Sequence, residues 1–248
     1  MDPCYPPNFD PSMSDDDLRV SATRLAGIPC VDLAAKFDCL GNDCEFGFVQ
    51  RKCGAEPLGL FRFSNPEHDV ILRAVSSAYA DVATGCDVEL DKQVPRREWI
   101  VVDRPNRLRE HTFIYEGDQE ASTVRAKQLA RIAFLRRNAI ENLLNAARIY
   151  VIKAGQGHLT REITANIAAA LQAPGPNMLL WVEPGDEVGR IDDYGNGLLR
   201  GTIDRLTVQP NGPSFSFAGW LAVLVGAWNY ALKWADSTYP KPQWSLDN

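Results

Sequence analysis

The sequence predicts an α/β domain of three layers, with a mainly parallel open sheet, helices on both faces and an inserted antiparallel hairpin. Three observations support this fold class. Strand-like and helix-like segments alternate along most of the chain. The strand-like segments are nearly continuous apolar runs, which is typical of strands covered on both faces. Two β-rich segments flank a short Arg-Pro-Asn-Arg turn at 104–107, which predicts the hairpin.

The helices are predicted from their caps and their apolar periods. Ser14 can cap the first helix and Gly27 can end it. Asn65 and Pro66 have the residue types preferred at a helix start, and Thr160 can cap a later helix. In chain order the predicted helices cover 14–27, 43–54, 65–85, 121–147, 158–175 and 217–235.

The strands are predicted from short apolar runs that Gly, Pro or charged residues interrupt. In chain order they cover 34–41, 57–64, 97–103, 109–117, 148–155, 177–185 and 197–208. The Trp-rich segment 217–235 contains Gly219, Gly226 and Asn229, and polar loops flank it. We therefore expect a buried helix there and no membrane span.

Chain length, net charge and cysteine content limit the domain number, the partners and the cellular compartment that we expect. The chain has 248 residues, 45% of them hydrophobic, which suits one domain over 14–248. Residues 1–13 are Pro-rich without an apolar period, so we expect a disordered or peripheral tail. The net charge of −6 argues against nucleic acid as a partner. Six cysteines without a secretory signal predict reduced thiols in a cytoplasmic protein.

The first candidate site follows the first predicted strand, in the stretch "CLGNDCEFG". Ligands of open α/β sheets bind at the carboxyl ends of strands, and Cys44 falls there, in the first turn of the next helix. Unpaired N–H groups at a helix start favour a thiolate and can hold an oxyanion. The alternative is that Cys44 is a buried structural residue, since free cysteine is among the most buried types.

A thiol nucleophile needs a base, and three histidines are available. His68 and His158 follow predicted strands on the expected active face, whereas His111 lies in the hairpin. Asp193, in a Gly-rich loop, is the candidate third member that would orient a histidine. Turn formation by Asp, Asn and Gly also explains that loop without any function.

Candidate substrate-binding residues are Asn42, Arg62, Arg136 and His158. Arg136 falls on the inward stripe of the longest predicted helix, where a guanidinium needs an anionic partner or ligand unless it snorkels to solvent. The sequence contains no G-x-G-x-x-G, P-loop, H-E-x-x-H or G-x-S-x-G motif. The cysteine and histidine spacing does not match a structural zinc site. We therefore expect no metal and no cofactor bound through a known motif.

Several segments resemble a bacterial family of uncharacterised proteins: "LGNDCEFGFVQRKCGAEPLGLFRFS", "HTFIYEG", "ARIAFLRRNAIENLL", "IYVIKAG", "NMLLWVEP" and "GLLRGTIDRL". The resemblance covers residues 35–232. Family members occur alone or beside tetratricopeptide, methyltransferase or glycosyltransferase modules. The family is distantly similar to proteins assigned as papain-like cysteine peptidases, which share an L-G-x-x-C turn and a later His before an aromatic residue. That similarity implies Cys44 and His111 as the catalytic pair.

The "GN-x-C" turn is also similar to that of capsule-polysaccharide acyltransferases that bind coenzyme A, so coenzyme A is a possible cofactor. The main hypothesis is therefore a cysteine-dependent acyl-transfer enzyme, a hydrolase or an acyltransferase, acting on a small molecule or glycan in surface-polysaccharide metabolism. The alternative is a non-catalytic module that binds a glycan or a nucleotide sugar. A transferase with a nucleotide-linked donor ranks last, because no D-x-D motif stands in a clear loop after a strand.

Overall fold

The computed structural model describes residues 9–41, 43–91, 96–154, 159–207, 215–238 and 240–245. Its helices are α1 Asp15–Ala26, α2 Cys30–Ala35, α3 Glu45–Lys52, α4 His68–Ser76, α5 Ala121–Leu144, α6 Arg161–Gln172 and α7 Phe217–Asp236. Its strands are β1 Phe37–Cys39, β2 Asp87–Asp91, β3 Glu98–Asp103, β4 Leu108–Tyr115, β5 Ile149–Lys153, β6 Met178–Pro184, β7 Ile191–Asp193 and β8 Leu198–Ile203.

Sheet A has the strand order β1-β5-β6-β8-β7 and confirms the predicted fold class. The first four strands in this order are parallel, and β7 runs antiparallel to β8 at the edge. Successive side chains of a strand point to opposite faces. Tyr150 and Ile152 belong to the apolar core that α4, α5 and α6 cover. Ile149 and Val151 belong to the core that α1, α3 and α7 cover.

Sheet B is a separate antiparallel sheet with the order β2-β3-β4. Its β3–β4 pair confirms the predicted hairpin, and β2 is an additional strand that the sequence did not predict. The sheet packs against α5, beside the α4–α6 layer. The second half of β4 is irregular, and this irregularity shapes the candidate site described below.

The Trp-rich segment forms α7, as predicted, and Trp220 and Trp228 in it are fully buried. Gly226 allows close packing against β7, because a Cβ there would lie 2.8 Å from Ile191 Cγ1. In the described ranges, no helix is long and apolar enough to cross a membrane.

Several local predictions were wrong. Residues 57–64 form turns instead of a strand. The helix predicted over 65–85 is the shorter α4, since Ala78 and Tyr79 adopt positive φ values soon after its last residue. Helix α2 was not predicted. In the predicted tail, 1–8 lie outside the described residues, while Phe9 and Met13 pack against the core.

Candidate functional site

A cleft lies between sheet B, α5 and the turns after α3. Its volume is about 270 Å³. We call it the arginine cleft, because three arginines and one histidine line it together with phenylalanine, glutamine and glutamate side chains. Its polar and aromatic lining residues are Arg51, Glu56, Arg62, Phe63, His111, Thr112, Phe113, Gln128 and Arg131. Three of the segments quoted above for the family resemblance therefore meet here.

His111 is held in place by a buried carboxylate. Its Nδ1 lies 2.9 Å from Oε2 of Glu98, whose side chain is only 8% exposed. This hydrogen bond raises the pKa of His111 against the opposing effect of burial. Burial by itself raises the pKa of Glu98, but the bonds from His111 and from the Phe113 N–H lower it overall. Because Nδ1 is engaged, Nε2 is the ring nitrogen left for proton transfer.

The contact between His111 and Glu98 depends on a bulge in β4. Ile100 pairs with His111 and Trp99 pairs with Ile114, so two extra residues lie between these pairs. One of them, Phe113, has a φ of 58°. Its N–H donates to Glu98 Oε1 at 2.8 Å. Bulges re-aim side chains and are common next to active sites, and this one turns two donors toward one carboxylate.

His111 and Asp43, the residue before Cys44, donate to the same turn. The N–H of His111 donates to the carbonyl of Phe63 at 3.1 Å, and the N–H of Asp43 donates to that of Ser64 at 3.4 Å. Gly47 lets this turn approach α3, since a Cβ there would lie 2.5 Å from the Phe63 ring. The structure therefore brings Cys44 and His111 into one region, although no hydrogen bond joins them among the described residues.

The thiol of Cys44 is buried and protonated. The residue is 3% exposed. Burial, then the carboxylates of Asp43 and Glu98, raise its pKa to about 12. The helix start does not reverse this effect, because the Glu45 N–H donates to Asp43 Oδ1 at 2.7 Å. The Glu45 N–H at the start of α3 therefore binds the Asp43 carboxylate and does not stabilise a thiolate of Cys44.

A buried ion cluster closes the carboxyl ends of β1 and β5. Lys153 Nζ lies 2.6 Å from Asp43 Oδ2 and 3.1 Å from Glu45 Oε2. Burial lowers the pKa of Lys153, but the two carboxylates outweigh it and raise the pKa overall. Glu45 also accepts from the indole Nε1 of Trp220 at 2.9 Å. This network ties α3 to sheet A and α7, and it fixes the loop that carries Cys44.

Arg62 is buried in the wall of the arginine cleft. Its guanidinium donates to the carbonyls of Gly47 and Ala55, both at 3.1 Å. It also pairs with Glu56, which pairs with Arg51 at 2.8 Å as well. Arg62 thus satisfies the carbonyls of Ala55, Pro57 and Gly47 and ties the irregular segment after α3 back to that helix.

The opposite wall of the cleft comes from α5. Arg131 pairs with Glu110 at 2.5 Å, and Gln128 lies one turn earlier on the same face. The rings of Phe63 and Phe113 meet edge to face at 5.1 Å, and the guanidinium of Arg51 lies 4.4 Å from the centre of the Phe63 ring. The cleft therefore combines cations, hydrogen-bonding groups and aromatic faces.

Other sequence-predicted residues lie elsewhere. Arg136 donates to the carbonyls of Tyr79 and Ala80, so it fastens the chain after α4, and it pairs with no carboxylate of the described residues. Asp193, the last residue of β7, accepts a hydrogen bond from the hydroxyl of Tyr230 on α7. This strand is at the edge of sheet A opposite β1, four strand spacings or about 19 Å away. Asp193 does not line the arginine cleft, and the carboxylate that holds His111 is Glu98.

Two of the named candidates, Asn42 and His158, lie outside the described residues. His68 is the first residue of α4 and does not line the arginine cleft.

Sequence reasoning missed Glu98 and Gln128. The signal for each was a polar residue on an apolar face. Glu98 begins the apolar run "EWIVVD". Gln128 lies four residues before Ile132, so it falls on the apolar face of α5. Both are buried in the structure. Within the described ranges, no three histidine, cysteine or carboxylate side chains are placed to hold a metal ion.

Comparison of the chain with models of protein families, with curated proteins and with solved structures finds no match in any of the three. The family resemblance and the distant similarity to papain-like peptidases therefore stay predictions.

Proposed function

We propose that the protein is a cysteine-dependent acyl-transfer enzyme, a hydrolase or an acyltransferase, with Cys44 as nucleophile and His111 as base. The observation that carries the proposal is the His111–Glu98 pair, because the Phe63–Ser64 turn that accepts from the His111 N–H also accepts from the N–H of Asp43, the neighbour of Cys44. A nucleophile, a base and a third group that orients the base form the recurring arrangement of such enzymes. Here the third group is Glu98.

The reaction follows from these roles. The sulfur of Cys44 attacks the carbonyl carbon of an ester, thioester or amide while Nε2 of His111 takes the thiol proton. His111 then gives this proton to the departing alcohol, thiol or amine, which leaves an acyl group on the sulfur. Water or an acceptor hydroxyl, deprotonated by His111, releases the acyl group and regenerates the thiol. Glu98 stabilises the imidazolium that forms in each half of the cycle.

The state of Cys44 favours a second candidate, binding of a glycan or nucleotide sugar without turnover. A thiol that is 3% exposed, with a pKa raised to about 12 by burial, is not a resting nucleophile. Acyl transfer therefore requires the acyl donor to reach Cys44 and His111 to assist its deprotonation. Binding in the arginine cleft requires neither step.

Mass spectrometry of cysteine acylation distinguishes the two candidate functions. Native protein is incubated with acetyl-coenzyme A or with an activated acetate ester, and the acetylated cysteine peptides are quantified. Acyl transfer predicts an adduct on Cys44 that is absent in Cys44→Ser and strongly reduced in His111→Gln. Cys53 is a matched control, because it is equally buried and lies at the other end of α3.

Two results would contradict the acyl-transfer proposal. One is protection of Cys44 until the protein unfolds. The other is equal labelling of Cys44 and Cys53, since this would indicate general thiol chemistry. Either result would leave the binding function as the remaining candidate.

A further inference from the structure

Two buried polar atoms in the wall of the arginine cleft have no hydrogen-bond partner among the described residues. They are Nε of Arg62, which only donates, and Oε1 of Gln128, which only accepts. The two side chains are 5% and 7% exposed. Buried polar groups are nearly always paired, so each unpaired one needs an explanation. Both residues line the arginine cleft, so a ligand that offers an acceptor and a hydroxyl donor would pair both atoms after a small side-chain movement that exposes them.

Two ion pairs of the cleft, Arg131–Glu110 and His111–Glu98, expose their basic members and bury their carboxylates. Arg131 is 36% exposed, whereas its partner Glu110 is 7% exposed. His111 is 35% exposed, whereas its partner Glu98 is 8% exposed. On this side of the cleft, a molecule that enters therefore meets Arg131 and His111 before their carboxylates, whereas Glu56 is the one carboxylate of these ion pairs that is exposed.

On the wall of the cleft opposite α5, positive charges outnumber negative ones. Arg51 and Arg62 share one carboxylate, that of Glu56, and this carboxylate is 58% exposed. In this part of the described structure, one positive charge is therefore left without a carboxylate of its own. Guanidinium groups bind carboxylate and phosphate in a planar, two-point geometry. The cleft thus has the chemistry of an anion site.

The remaining lining indicates the size and shape of the ligand. The faces of Phe63 and Phe113 supply an apolar surface against which a flat or ring-shaped molecule can lie. The volume of about 270 Å³ is just below the range of about 300–1,000 Å³ that is typical of sites for drug-sized ligands. One substituted sugar ring suits this space, whereas an intact dinucleotide does not.

From these observations we infer that the arginine cleft binds a single sugar unit that carries both hydroxyl groups and one anionic group, a sugar acid or a sugar phosphate. Arg51 and Arg131 bind the anionic group, and Gln128 and Arg62 bind the hydroxyls. The inference rests on the proposed function through His111, which lines the cleft, whereas Cys44 is not one of the lining residues. Binding is nevertheless measurable without any turnover.

Isothermal titration calorimetry of the full chain with glucuronate, glucose 1-phosphate, glucose and inorganic phosphate tests this inference. We expect glucuronate or glucose 1-phosphate to bind at least about tenfold more tightly than glucose or phosphate alone, because only the combined molecules engage both sets of groups. Which of the two binds better distinguishes a carboxylate from a phosphate ligand. Each titration is repeated on Cys44→Ser, which removes the proposed nucleophile and leaves the cleft intact.

Two variants and a matched control locate the site. Arg51→Gln and Gln128→Met are each expected to weaken binding about tenfold. Gln128→Met also removes an unpaired buried acceptor, so the melting temperature of the free protein should be unchanged or higher. Arg125→Gln is the control, because Arg125 lies on α5 in an exposed pair with Asp87, outside the cleft.

The inference is overturned if glucose binds as tightly as its charged derivatives, if none of the four probes binds saturably, or if both cleft variants bind like the wild type. A loss of melting temperature in Gln128→Met would also contradict it, since the side chain would then be structural. Charged-sugar binding that persists in Cys44→Ser without any acyl adduct on wild-type Cys44 would support this inference while refuting acyl transfer.

Discussion

Replacement of Glu98 by glutamine isolates the role of the carboxylate that holds His111. The variant keeps the size of the side chain and an oxygen for the Phe113 N–H, but it removes the negative charge. A hydrogen bond to a charged group stabilises a protein by about 1.5–3 kcal/mol and a neutral one by about 0.5–1.5 kcal/mol. The imidazole is 35% exposed, so water screens the pair and the lower end applies. We expect Glu98→Gln to lose about 1 kcal/mol of unfolding free energy.

This loss depends on pH in a defined way. The raised pKa of His111 adds stability that is fully present below the ordinary imidazole value of about 6.5 and is lost as the pH rises through the raised value. The lowered pKa of Glu98 adds stability that is present above the ordinary carboxyl value of about 4.3 and is lost as the pH falls through the lowered value. The deficit of the variant should therefore be largest between about pH 5 and 6.5 and smaller at about pH 9.

Two assays check this prediction. Urea unfolding of the wild type and of Glu98→Gln gives the free-energy difference at each pH. Proton NMR titration of the ring of His111 should show its pKa falling toward the ordinary value in the variant, while the pKa of His68, which does not contact Glu98, stays unchanged. A pH-independent deficit, or a His111 pKa that does not move, would refute the assignment of Glu98 as the group that charges and orients His111.

Two further predictions test the contacts that position α3 and the loop before it. Gly47→Ala places a Cβ 2.5 Å from a phenyl ring, so we expect it to cost about 1–3 kcal/mol of unfolding free energy in urea, whereas Gly85→Ala, with open space around it, should cost little. Equal effects of the two alanines would contradict the close packing of α3. Lys153→Met leaves Asp43 and Glu45 buried without their shared ammonium, and we expect a loss of about 3–5 kcal/mol at neutral pH. This loss should shrink on acidification, because burial raises the pKa of Asp43 and a protonated Asp43 no longer needs the ammonium, and a deficit that grows on acidification would refute it.

Local signals made much of the fold predictable. Ser14 is the N-cap of α1 and Gly27 is its C-cap, as their residue types predict, because capping depends on atoms within one turn. Thr160 likewise caps α6, with its hydroxyl accepting from the Ile163 N–H. The apolar runs of β5, β6 and β8 were also predictable, since both of their faces are buried.

The candidate site was less predictable, because long-range contacts build it. The run 57–64 has a strand-like composition, yet Arg62 and the packing of Gly59 against Asp38 hold it in turns. The sequence predicts Asp193 beside the histidine, but β7 pairs with β8 at the edge of the sheet opposite β1, and no local pattern shows this strand order. Glu98 orients His111 only through a bulge whose register a single strand does not reveal.

The ion pair between Lys153 and Asp43 has a consequence for the order in which the chain folds. The two residues are 110 positions apart, and β1 is a strand of three residues that pairs with β5 alone in the described sheet. All of sheet B and α5 must therefore be synthesised before β1 gains its partner. Contacts of such long sequence separation form slowly, since the loop must close first. We expect the segment that carries Cys44 to remain unprotected from proteases until β5 has emerged from the ribosome.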